Sequence, residues 1–237
     1  FSVAIATVLF PAISRYAGRA DIRGVRDASA AGLRQIFFVL VPAAAILLVL
    51  AEPIVRFVFQ YGAFDAESTD LTSQALLAFS LGLVFNGASL LVIRTFFSLQ
   101  LPWLPTAVAG GGVVLNLILD LLLYRPLGVV GIPLATSIVS LVTLVALVAL
   151  LARRIGGLRL PWVVDGLARC TAAGAVAALL AWSSWRVLED ALGAGFIAQA
   201  ISLTVALLAA SAAYAAACRA LSVPELNLLA RIVRPLR

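Results

Sequence analysis

Residues 106–151 read TAVAGGGVVLNLILDLLLYRPLGVVGIPLATSIVSLVTLVALVALL, two apolar runs, 106–124 and 127–151, parted only by Arg125-Pro126. A helix needs about 20 apolar residues to cross a hydrocarbon core of about 30 Å. Each run meets that length, and the Arg-Pro step leaves room only for a tight reversal. Working outward, 35–51, 75–93, 168–185 and 194–218 are runs of the same kind. Of 237 residues, 63% are apolar and 12% charged, against about 45–50% and about 25% in soluble domains. Any one run would suit a buried core helix, but six of them leave too little polar chain to coat a soluble fold. The expected fold is therefore an all-α polytopic membrane protein with six full transmembrane helices.

The opening stretch, Phe1 to Ile13, would rise only about 20 Å as a helix, too little to cross. It has neither a basic n-region nor a cleavage site, so it does not read as a signal peptide. With no initiating Met, the expectation is a fragment that opens on the second half of a truncated helix.

All 17 basic residues are arginine, and the net charge is +6. They sit at the ends of the runs rather than in one patch with interleaved aromatics. The expected partners are anionic membrane lipids, not nucleic acid. Arg15, Arg19, Arg23 and Arg26 in 14–30 mark an inner loop by the positive-inside rule. The 52–70 segment has Arg56 against Glu52, Asp65, Glu67 and Asp70 and reads as outer. Arg153, Arg154, Arg159 and Arg169 place 152–169 inside, 186–193 reads outside, and Arg219, Arg231, Arg234 and Arg237 return the C-terminus to the cytoplasm. Strict alternation satisfies every strongly charged loop.

Local signals set the expected boundaries. Asp65, Glu67 and Asp70 favour the positive end of the following helix and can cap it. Gly62 reads as the stop of a short interfacial helix, Pro53 to Tyr61. Tyr61, Trp103, Tyr124, Trp162, Trp182 and Trp185 fall near run ends, as an aromatic belt requires. Pro42 lies early inside its run and is expected to kink that helix. Arg15, Arg19 and Arg23 would form one stripe along a lipid surface if helical; the simpler reading is an ordinary inner loop. The tail, Pro224 to Arg237, reads either as an amphipathic surface helix or as a segment for cytoplasmic partners.

Without histidine or lysine there is no His-based triad, His–metal site, Walker A motif or Schiff-base lysine. Cys170 and Cys218 lie in separate apolar runs and support neither a disulfide framework nor a metal site. No metal or cofactor is expected, and no enzymatic activity. Gly110-Gly111-Gly112 follows no strand and precedes no lysine, so it reads as a helix-packing feature, with Ala107 and Gly111 as a small-xxx-small face.

The informative exceptions are polar groups inside apolar runs, because a charge at mid-span costs about 2.5–3.5 kcal/mol on insertion scales. Asn86, Arg94, Asn116 and Asp120 are the main ones, and Arg34 sits at the mouth of its run. These five are the candidate cavity or substrate residues. Asn116 and Asp120, four apart, share a helix face. Two readings stand for each charge: Asp120 faces a cavity or reaches the outer interface, and Arg94 faces a cavity or snorkels to the headgroups.

At 52–64 the chain reads Glu-Pro-Ile-Val-Arg-Phe-Val-Phe-Gln-Tyr-Gly-Ala-Phe, which resembles the outer-loop motif of the MurJ (MviN) lipid II flippase family. Residues 3–15, Val-Ala-Ile-Ala-Thr-Val-Leu-Phe-Pro-Ala-Ile-Ser-Arg, resemble the end of that family's eighth helix, and 115–136, from Leu-Asn-Leu-Ile-Leu-Asp to Ile-Pro-Leu-Ala-Thr, its eleventh and twelfth. The resemblance covers residues 1 to about 155; beyond that only hydropathy matches. It implies a MOP-superfamily, MATE-like helical lobe. Residues 1–157 would be the end of helix eight and helices nine to twelve, and 158–237 the additional C-terminal pair and a cytoplasmic tail.

It further implies transport of lipid II from the inner to the outer leaflet of the bacterial cytoplasmic membrane by alternating access. The family's best-established cavity arginines lie in an N-terminal lobe and in the first part of helix eight, upstream of Phe1. The proposed tail groove leads to the last two helices. Two departures stand out. Gln100-Leu101-Pro102-Trp103-Leu104-Pro105 replaces an Asp-Thr-x-Thr-Pro stretch, and Asp120 stands where asparagine is more frequent, which makes it a candidate ion site. Another MOP-type transporter, a polysaccharide-lipid flippase or a cation-coupled drug exporter, is the alternative. A membrane enzyme on lipid-linked sugars would need clustered carboxylates or histidines at one interface, and the Asp65–Asp70 group already reads as a helix start.

Overall fold

Backbone N–H and C=O groups in hydrocarbon must be satisfied within the chain, which leaves the helix as the solution for a sequence of this kind. The computed structural model describes residues 2–62, 64–193 and 195–226. It contains α1 (Ser2–Gly18), α2 (Ile22–Phe59), α3 (Ala66–Ser98), α4 (Trp103–Leu127), a 3-10 turn (Gly128–Val130), α5 (Gly131–Arg154), α6 (Leu160–Leu192) and α7 (Phe196–Ala220). Most of the tail, with Arg231, Arg234, Arg237 and the expected surface helix, lies outside the described residues.

Among the described residues, five uninterrupted helical stretches are long and apolar enough to cross a membrane, one of them the 52-residue Trp103–Arg154. That stretch folds back on itself. Gly112 faces Val139 and Thr143, Asn116 meets Thr136, and Gly131 lies against Leu123, so α4 and α5 run antiparallel. Their 25 and 24 residues each rise about 36–38 Å, so the hairpin accounts for two crossings. Gly128 closes α4 at φ +57°, its N–H bonded to Tyr124 O, a positive φ that glycine adopts because it has no Cβ.

Helices outrun the apolar runs that announced them. α3 begins at Ala66, nine residues before Ala75, because the Ser68 N–H donates to Asp65 Oδ1 at 2.9 Å and the helix starts where its donors are capped. Most of the expected inner loop 14–30 is helical as well: α1 and α2 are joined at 19–21, and the Gly24 N–H donates to Asp21 Oδ1 at 2.9 Å. The break falls between Arg15 and Arg23, so the arginines form no continuous stripe.

The kink in α2 is not at Pro42. The non-helical residue is Leu50, at φ −110° and ψ 17°, in the turn before Pro53, whose ring excludes the carbonyl four residues back. Pro42 stays in a helical path, packed against Gly174 of α6 with Val41 and Ala45. The segment after Leu50 is the expected short helix. It ends at Phe59, one turn ahead of Gly62 at φ +59°.

The described residues form two compact units. The first comprises 2–40 and 81–167, its interior built on Ile13, Leu33, Ile36, Leu91, Phe96 and Leu151, all at most 2% exposed. Here α3 and α5 approach closely at Gly82, where a Cβ would lie 2.7 Å from Ser137 Cα. Arg26 donates to Ile155 O and Gly156 O at 2.7 and 2.9 Å, capping the C-terminal end of α5 where a cation is favoured. The neighbouring Arg159–Asp27 pair at 2.9 Å is half-exposed and contributes little.

The second unit comprises the described residues of 41–80 and 168–226. Ala173, Ala177 and Ala181 on α6 and Ala206 and Ala210 on α7 are fully buried, small residues that allow close helix approach. Trp185, expected in the aromatic belt, is buried, whereas Trp182 is exposed.

The Asp65 cap predicts a pH effect with a defined sign. Hydrogen bonds from Ser68, its backbone N–H foremost, hold the Asp65 carboxyl below its ordinary 3.8. A depressed folded-state pKa contributes stability above 3.8 and loses it as pH falls through the folded value. Protection of the Ser68 amide, its exchange rate relative to the intrinsic rate at the same pH, is expected to fall only below about pH 4, and Asp65→Ala should abolish that dependence. An unchanged profile in the variant would refute the cap.

Candidate functional site

All five sequence candidates fall in the first unit. Arg34 is 2% exposed. Its guanidinium stands 4.3 Å over the Trp162 ring, and Nη1 donates to Trp162 O at 3.2 Å. A Cβ on Gly166 would lie 2.7 Å from Arg34 Nε, so the guanidinium is wedged against the first turns of α6. Arg34 therefore anchors α2 to α6.

Asn86 and Arg94 lie on α3, eight residues and so about 12 Å apart along the axis. Asn86 is exposed and Arg94 half-buried. The Arg94 guanidinium is 5.9 Å from the Phe10 ring centroid of α1, and its Nε is buried without a hydrogen-bond partner.

Asn116 and Asp120 occupy adjacent turns of α4 and are both half-buried. Asn116 Nδ2 reaches Thr136 Oγ1 across the hairpin at 3.5 Å, and that hydroxyl donates to Ile132 O at 3.1 Å. Asp120 Oδ1 is buried with no hydrogen-bond partner. An unmet carboxylate oxygen inside a span is a costly arrangement of the kind functional groups in membranes show. Asn116, Asp120 and Thr136 together offer oxygen donors, the ligands hard cations take. Thr136 was missed from sequence because threonine is unremarkable in an apolar run. Its signal was the reversal at Gly128, which pairs positions on the two arms.

The glycine triplet plays a narrower part than expected. Only Gly112 meets α5, through Thr143 and Val139, while a Cβ at Gly110 or Gly111 would find nothing within 4 Å. The Ala107–Gly111 face makes no close helix contact there. In the second unit, Arg56 of α2 pairs with Glu189 of α6, joining outer-reading segments that sequence treated as separate loops.

Long apolar helices carrying partnerless polar atoms inside their spans define a polytopic membrane protein, helical throughout its described spans. Residues 1–201 match the family model described as lipid II flippase MurJ. The chain belongs to that family. It is 33% identical over 173 residues to a probable lipid II flippase MurJ of Synechocystis sp., covering 73% of this chain and 32% of the relative. A probable lipid II flippase MurJ of Rhizobium meliloti is 30% identical over 235 residues, 98% of this chain and 44% of the relative. The chain thus spans less than half the length of these relatives. Its fold resembles part of a solved lipid II flippase MurJ in an inward closed conformation, with TM-score 0.67 and 23% identity over 93% of this chain and 44% of that one.

Proposed function

We propose that the chain forms the second lobe and C-terminal helix pair of a lipid II flippase, moving lipid-linked peptidoglycan precursor from the inner to the outer leaflet of the bacterial cytoplasmic membrane by alternating access. The observation that carries this reading is the family match over residues 1–201. Residues 1–157 would form the lobe's helices, and 158–237 the pair and a cytoplasmic tail. The rest of the relatives' length would supply the other lobe and its cavity arginines. The protein moves its substrate without altering it, and anionic lipids hold its inner-face arginines.

Within this reading Asn86, Arg94, Asn116 and Asp120 are the polar groups that bear on the cavity or its coupling, and Arg34 positions the helices around them. The partnerless Asp120 Oδ1 and Arg94 Nε support their role. Asp120, with Asn116 and Thr136, is the place for a coupling cation held by oxygen ligands.

The test is expression of the intact protein in cells depleted of their own flippase, reading lipid II accessibility at the outer face. Wild type is expected to restore exposure, and Asp120→Leu to lose it while still reaching the membrane. Intact protein that inserts but leaves lipid II inside would overturn the assignment. Full activity in Asp120→Leu would remove only the cation site.

A further inference from the structure

In the second unit a cavity of about 420 Å³ is lined by Arg56, Gln60 and Tyr61 from the end of α2 and by Phe196 and Gln199 from the start of α7. Its volume falls within the about 300–1,000 Å³ of small-ligand sites. Tyr61 and Phe57 flank Phe196, the first edge-on at 6.2 Å and the second stacked at 5.1 Å. Arg56 is already paired with Glu189, so the wall carries no net charge. Two hydrogen-bonding atoms of this wall are unmet: Arg56 Nε, a donor, and Gln60 Oε1, an acceptor, both buried without partners. The terminal amide torsion of glutamine is soft, so Oε1 turns to the cavity at little cost. Arg56 has five donor hydrogens, of which its contact with Glu189 does not exhaust the set.

On the other side of their shared Phe196 lies an apolar groove of about 310 Å³, lined further by Ile197, Ala200, Ile201, Thr204 and Val205. It runs along α7 over the residues where that helix enters its apolar span. Trp182 and Arg186, with the ring and guanidinium 5.7 Å apart, mark the same unit's end of α6 with the aromatic and cationic pairing of a membrane interface. A polar chamber adjoining an apolar groove along a helix long and apolar enough to span a membrane has the form of an amphiphile site.

We propose that this chamber and groove bind a membrane phospholipid whose headgroup carries a hydrogen-bond donor beyond its phosphate. Arg56 takes the phosphate, Gln60 Oε1 accepts from the distal donor, and one acyl chain lies along Ile197, Ile201 and Val205. The neutral Arg56–Glu189 wall favours a zwitterion, and the unmet acceptor favours ethanolamine over choline, whose quaternary nitrogen has no N–H. The site is separate from the five candidates on α2, α3 and α4 and does not rest on the transport reading.

The test is native mass spectrometry of the delipidated intact protein titrated with phosphatidylethanolamine or phosphatidylcholine of the same acyl chains. One hydrogen bond supports a preference for ethanolamine of about five- to tenfold. Gln60→Leu is expected to bring that ratio to about one and Gln60→Glu to retain it, while Ala200→Phe, which fills the groove, should weaken both lipids. Equal binding of the two lipids by wild type, an unchanged ratio in Gln60→Leu, or undiminished binding in a folded Ala200→Phe would each overturn the proposal.

Discussion

Replacing Arg34 with alanine is expected to destabilise the protein by about 2–4 kcal/mol, the largest loss for any single charge in the first unit. The guanidinium is 2% exposed, so its interactions are made away from water. A desolvated cation–π contact is worth about 2 kcal/mol, and a hydrogen bond to a charged group about 1.5–3 kcal/mol. Both end on Trp162, so they are not additive and the loss falls below their sum of about 3.5–5 kcal/mol. Truncation also leaves a void against Gly166. Arg34→Lys should recover little, because an ammonium neither stacks flat on an indole nor presents Nε and Nη1 together. Thermal unfolding in detergent measures this. A folded Arg34→Ala protein of native stability that has lost lipid II exposure would instead make Arg34 a substrate group rather than an anchor.

Gly131→Ala should cost about 1–3 kcal/mol, with Gly131→Val costing more. A Cβ at Gly131 would sit 2.5 Å from Leu123 O and 2.6 Å from its carbonyl carbon. Those atoms are backbone, so no rotamer change relieves the clash and the α4–α5 hairpin must open. The opening pulls Thr136 from Asn116, so the variant should lose activity together with stability. Gly110→Ala in the same hairpin is the control: nothing lies within 4 Å of its Cβ, and a helix-interior glycine replaced by alanine gains about 0.5–1 kcal/mol. If the two substitutions shift the unfolding temperature alike, close approach at Gly131 is not what holds the hairpin.

Helix existence was legible because spanning a bilayer demands long apolar runs, and 35–51, 75–93, 106–124, 127–151, 168–185 and 194–218 each lie largely within α2 to α7. Helix ends were not, because they depend on local donors and acceptors. Asp65 starts α3 well ahead of the apolar residues, and Arg26 closes α5 from another helix. Proline gave half its message. Pro53 marks a kink while Pro42 does not, since helix geometry around Pro42 is supported by packing on Gly174, a neighbour 132 positions away. Of the candidate site, the sequence named Asn116 and Asp120 from the cost of polar groups in hydrocarbon, but not Thr136, which only the antiparallel hairpin brings beside Asn116.

Hydropathy, charge alternation and the 52–64 motif were enough to establish a polytopic helical membrane protein of the flippase family, because solvent demands and motif residues are written locally along the chain. What a given arginine does was decided only by tertiary structure. Arg26, Arg34 and Arg56 look equivalent as basic residues near span ends. Yet one caps α5, one is buried on Trp162, and one pairs with Glu189. Each role depends on which distant carbonyl, ring or carboxylate the fold brings within about 3–6 Å, a distance that residue order does not encode.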